Sequence, residues 1–157
     1  MKTLQRSLSI LALSLMLASS AARADGVVHF VSVGGPDQDP TNHTDANFSL
    51  VAIQYGDGRV MGQWTDQFGQ GQGGVHVAID CLVVQGNQAW VSGFVTSGTF
   101  NGADLSGLPV ITRVQDNGNS ASTPDQISFS FIGNPASCTT TPNLALVPMT
   151  AGQVTVR

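Results

Sequence analysis

Residues 75–96, V-H-V-A-I-D-C-L-V-V-Q-G-N-Q-A-W-V-S-G-F-V-T, decide the fold class. Both halves are rich in β-branched and apolar residues. They meet at Gly86-Asn87, a pair that reverses a chain because Gly takes φ > 0 freely and Asn tolerates it. That is the mark of two antiparallel strands joined by a tight turn. Along the first strand, Val75, Val77, Ile79, Cys81 and Val83 alternate with His76, Ala78, Asp80, Leu82 and Val84. The first set is uniformly apolar and is expected to face inward, carrying Cys81 into the core.

Upstream, residues 27–33 and 47–55 read as strands, and Gly56-Asp57-Gly58 turns the second into a third over residues 59–65. In the second strand Phe48, Leu50 and Ala52 share one face while Val51, Ile53 and Tyr55 share the other. Both faces are apolar, so part of this strand is expected to be covered on both sides. Downstream, residues 97–109 read as a loop and residues 110–115 as a strand that Asp116-Asn117-Gly118 terminates. In residues 126–131, Ile127, Phe129 and Phe131 alternate with polar residues, which predicts a strand with one wet face. Residues 144–149 and 153–156 close the pattern. No stretch beyond residue 24 sustains a 3.6-residue apolar period, so helices are expected to be short or absent. The pattern is all-β: an antiparallel β-sandwich or barrel of about eight short strands, forming one domain over residues 25–157.

The first 24 residues read as a cleaved signal peptide. Lys2 and Arg6 precede an apolar run over residues 8–18, and Ala22-Arg23-Ala24 supplies the small residues of a cleavage site. The apolar run is shorter than the roughly 20 residues of a membrane-spanning helix, so no membrane insertion is expected after cleavage. The expected location is secreted or periplasmic. Removal of the leader leaves Arg59, Arg113 and Arg157 against ten Asp, a net charge of −7, with no Lys and no Glu. Such a chain cannot assemble the basic track that nucleic acid requires. Cys81 and Cys138 are the only cysteines, and an oxidising compartment favours a disulfide between them. Neither has the spacing of a zinc site.

Reactive groups are few. His29, His43 and His76 are the only histidines, and His76 with Asp80 is the one pairing that a strand would place on a single face. No nucleophile sits in an activating context such as a G-x-S-x-G elbow, so catalysis is not expected. A small hydrolase using His76 and Asp80 is the enzymatic alternative. The densest oxygen cluster is Asp116-Asn117 with Asp125, a conceivable Ca²⁺ site, although Asp-Asn-Gly is also an ordinary strand-reversing turn. A ligand-carrying barrel is a further alternative, with Phe30, Trp64, Trp90 and Phe94 lining its cavity.

C-L-V-V-Q-G-N-Q-A-W-V-S-G from Cys81, V-Q-D-N-G from Val114 and P-D-Q-I-S from Pro124 resemble small exported bacterial domains of the post-COAP type. A-N-F-S-L-V-A at Ala46 and G-Q-V-T-V at Gly152 are similar as well. The resemblance implies an exported all-β module and brings no catalytic residues with it. Together these readings point to a noncatalytic binding or structural module of the envelope or secreted fraction, with a protein or glycan partner.

Overall fold

The structure, a computed structural model, describes residues 26–36, 47–119 and 122–157. The expected leader and His43 lie outside them. The regular structure of the described chain is almost entirely strand: β1 (Val27–Gly35), β2 (Asn47–Tyr55), β3 (Val60–Phe68), β4 (Gly73–Gln85), β5 (Gln88–Phe100), β6 (Ala103–Asp104), β7 (Pro109–Gln115), β8 (Gln126–Ile127), β9 (Phe131–Ile132), β10 (Val147–Pro148) and β11 (Gln153–Val156). A 3₁₀ turn over Cys138–Thr140 is the one helical element among the described residues.

All ladders are antiparallel and belong to one sheet, ordered β10-β8-β7-β5-β4-β3-β2-β1-β11, with β6 on β5 and β9 on β7. The sheet curls into a half-barrel. Where the sequence suggested about eight short strands, there are eleven among the described residues: two of them, β4 and β5, run 13 residues, and four are only two residues long. Gly86 at φ +61 holds the β4–β5 turn, and Gln85 pairs with Gln88. Gly at the first turn position followed by a residue with negative φ matches the twist of the flanking strands.

The concave face is the core. Val31 and Val33 of β1, Phe48, Leu50 and Ala52 of β2, and Trp64 of β3 pack there with Val75, Val77 and Ile79 of β4. The Phe48 and Trp64 rings lie 6.1 Å apart. Two departures from strict alternation shape the rest. In β4, Ile79 pairs with Gly93 but Cys81 pairs with Ser92, so Asp80 is an extra residue and the ladder shifts there. A bulge of this kind passes every later side chain to the opposite face. Leu82 is therefore buried in the core, whereas Cys81 and Val83 turn to the convex face, correcting the inward Cys81 that pure alternation predicts. The second departure breaks the expected strand over residues 126–131 into β8 and β9. Ser128 is buried and Phe129 is 39% exposed, the reverse of the alternation. Ser128 goes inward because its hydroxyl accepts the Arg113 N–H and stands 3.1 Å from the Thr112 hydroxyl, while its own N–H donates to the Arg113 carbonyl.

The two margins of the sheet face one another across residues 149–152. β11 pairs with β1 on one side only. On its other side, the Val154 N–H donates to Asp125 Oδ2 (2.6 Å) and the Val156 N–H to Asp116 Oδ2 (3.0 Å). Two carboxylates thus occupy the place of a neighbouring strand. The backbones come close here: a Cβ added to Gly152, at φ +91, would stand 2.1 Å from the Gly34 carbonyl oxygen. Asp125 is buried and its Oδ1 also accepts the Asn117 N–H. Asp125→Ala removes a charged acceptor from two N–H groups, and urea denaturation should show a loss of about 3 kcal/mol. Unchanged stability would mean that the carboxylate does not hold the seam.

Candidate functional site

The convex surface has two unlike halves. Over β4, β5 and β7 it is covered by a strap, residues 134–144. Cys138 is buried and bonded to Cys81, with the two Cα atoms 5.9 Å apart, and its N–H donates to the Ser92 hydroxyl. Further along, Trp90 Nε1 donates to the Pro142 carbonyl at 2.8 Å. Arg113 completes the attachment: Nη1 donates to Asn143 Oδ1 and the Leu144 carbonyl, Nη2 to Gln88 Oε1, and the guanidinium lies 5.1 Å from the centre of the Trp90 ring. A planar fork stacked on an aromatic face suits Arg and not Lys. The expected disulfide is present, but as the staple of an external strap.

The other half, the convex face of β1, β2 and β3, stands open. Its side chains form cross-strand rows. Phe30, Ile53 and Met61 make one, and Ser32, Val51, Gln63, Ala78, Phe94 and Pro109 make a longer one that continues across β4 and β5 to β7. Met61 is 54% exposed, Phe94 50% and Val51 38%. The cover expected over both faces of part of β2 is only partial: Val51 is exposed, and Ile53 and Tyr55 at the end of the strand are half-buried. The only charged side chain in β1, β2 and β3 is Asp66, which is buried on the concave side with the Ser130 hydroxyl donating to its Oδ2. In a chain with ten Asp, a charge-free outer face is conspicuous.

Where the two halves meet, the strap and the sheet enclose a depression of about 150 Å³. Asp80, Phe94, Pro109, Pro135, Ala136 and Ser137 are among the residues lining it. Asp80 is there because it is the extra residue of the bulge. His76 lies elsewhere, in a cleft of about 370 Å³ with Gln63, Thr65 and Thr96, its Nδ1 3.3 Å from Thr65 Oγ1. The structure therefore places His76 and Asp80, the pair suggested for a hydrolase, in different depressions, both exposed.

Asp116, Asn117 and Asp125 do come together, as their spacing suggests. Their oxygens are engaged by the protein itself: Asp116 accepts from the Gly118 and Val156 N–H groups, Asp125 from Asn117 and Val154, and Asn117 Oδ1 from Gln115 Nε2. Among the described residues no group of three or more His, Cys, Asp or Glu is placed to hold a metal ion. Of the four aromatic residues suggested for a ligand cavity, Trp64 faces the core, whereas Trp90 lies under the strap and Phe30 and Phe94 belong to the convex rows. Elsewhere on the surface, hydrogen bonds from the Arg59 side chain and backbone hold the Asp57 carboxyl below the usual carboxylate range, and those from Ser106 do the same for Asp104. No helix among the described residues is long and apolar enough to cross a membrane. No protein family, curated protein or solved structure matches the chain.

The strap should depend on its staple. Replacing Cys81 and Cys138 together by Ser removes a crosslink spanning 57 residues, with an expected loss of about 4 kcal/mol. Amide hydrogen exchange should accelerate over residues 134–144 before it does in β4 and β5. Uniform acceleration throughout the sheet would show that the strap is integral to the barrel.

Proposed function

We propose that this chain is a noncatalytic binding module of an exported or periplasmic fraction, and that it engages a protein partner through the convex face of β1, β2 and β3. The observation that carries this reading is the open, charge-free face centred on Val51, Ile53 and Met61. Depletion of charge together with exposed aromatic and Met side chains characterises the centre of protein interfaces. A charged polymer would find nothing to pair with there. The leader-like first 24 residues, the disulfide and the likeness to post-COAP-type domains support export.

The test is a capture experiment from the envelope and supernatant fractions of the exporting cell, using the wild type and Met61→Asp. A partner protein should be retained by the wild type and bind the variant about tenfold more weakly or worse, since an unpaired charge is placed at the centre of the contact. Equal retention by both proteins removes the convex face from the reading. Retention abolished by glycosidase treatment would replace the protein partner with a glycan.

A further inference from the structure

We propose that the depression between the strap and β4–β5 is a binding site for one cationic side chain, the guanidinium of an Arg or the ammonium of a Lys on the partner. It lies at the end of the same cross-strand row that contains Val51, Gln63, Ala78 and Phe94, and so rests on the reading of that face as a docking surface. Four features of the depression select a cation.

The first is Asp80. The bulge projects it from the ladder, it is exposed, and it makes no hydrogen bond or ion pair among the described residues. Bulges re-aim single side chains in this way beside binding sites. Second, Phe94, half-exposed, lines the same depression, so a ligand entering it meets an aromatic ring as well as a carboxylate. Only a cation is attracted by both, through a charge-assisted hydrogen bond and through the negative face of the ring. Third, the walls offer few competing donors. Pro109 and Pro135 have no N–H, and the Ala136 N–H already donates to Asn134 Oδ1. Fourth, the net charge of −7 over residues 25–157 draws cations toward the protein at long range.

The size of the site limits what enters. About 150 Å³ holds a single side chain, well below the roughly 300 Å³ at which pockets begin to accept whole small-molecule ligands. The site is also preorganised. Asp80 adjoins Cys81 and Ser137 adjoins Cys138, so the disulfide fixes the two walls at a set separation before any ligand arrives.

The experiment is a titration of the mature protein with N-acetylarginine amide, followed by amide chemical shifts, with the neutral isostere N-acetylcitrulline amide in parallel. The arginine compound should give saturable shifts at Asp80, Phe94, Ala136 and Ser137, and the citrulline compound none. Asp80→Asn should weaken binding about tenfold, while Asp104→Asn, a surface carboxylate outside the depression, should leave it unchanged. Absence of shifts at these residues, equal shifts with citrulline, or full affinity in Asp80→Asn would each overturn the proposal. The titration needs no partner, so its failure leaves the docking face standing. Conversely, a failed capture experiment leaves the cation site to be judged alone.

Discussion

One extra residue in one strand sets the character of this molecule. Had β4 kept its alternation through Asp80, Cys81 would lie in the core and Leu82 on the surface. With Asp80 inserted, the core gains Leu82 and the convex face gains a sulfur. Everything that distinguishes one half of that face from the other follows. Cys81 anchors Cys138, Cys138 brings the strap across β5 and β7, and Trp90 and Arg113 find their partners on the strap instead of in solvent. A large aromatic and a guanidinium on the outside of a sheet would otherwise be exposed. Beneath the strap each becomes a point of attachment.

The margins of the sheet raise a separate problem, because an unpaired edge exposes a row of backbone donors and acceptors. A fully closed barrel removes edges by strand pairing. Here β11 pairs with β1 alone, and the Asp116 and Asp125 carboxylates accept its outward N–H groups. A carboxylate is the stronger acceptor, and two of them blunt the edge without requiring register between strands.

Much of this was legible in the sequence and some was not, for identifiable reasons. The boundaries of β2 and β11 follow directly from β-branched runs ended by Gly-containing turns, and the Gly86-Asn87 reversal is as local as a signal can be. The bulge was not legible. Asp80 between Ile79 and Cys81 looks like any outward residue of an alternating strand, and only the opposing ladder, with Gly93 against Ile79 and Ser92 against Cys81, reveals the slip. Phe129 misled for a related reason. Its alternation with Ile127 and Phe131 is regular, but the tertiary bonds of Ser128 to β7 outweigh the period of three apolar residues. The Asp116–Asp125 cluster was visible as a cluster, yet its bonds reach β11, some 30 to 40 residues away in the chain, which no local pattern encodes. The Asp80 depression was likewise beyond reach, since one wall comes from the bulge and the other from residues 135–137.

The strap has a bearing on how the chain matures. With two cysteines there is one possible internal pairing, so an oxidant alone can complete the covalent structure and no thiol reshuffling is needed. That pairing joins β4 to a segment 57 positions later, beyond β5 and β7 in the chain. The disulfide is therefore a latch across the sheet: it fixes the strap, while the strands beneath are joined by their own backbone ladders.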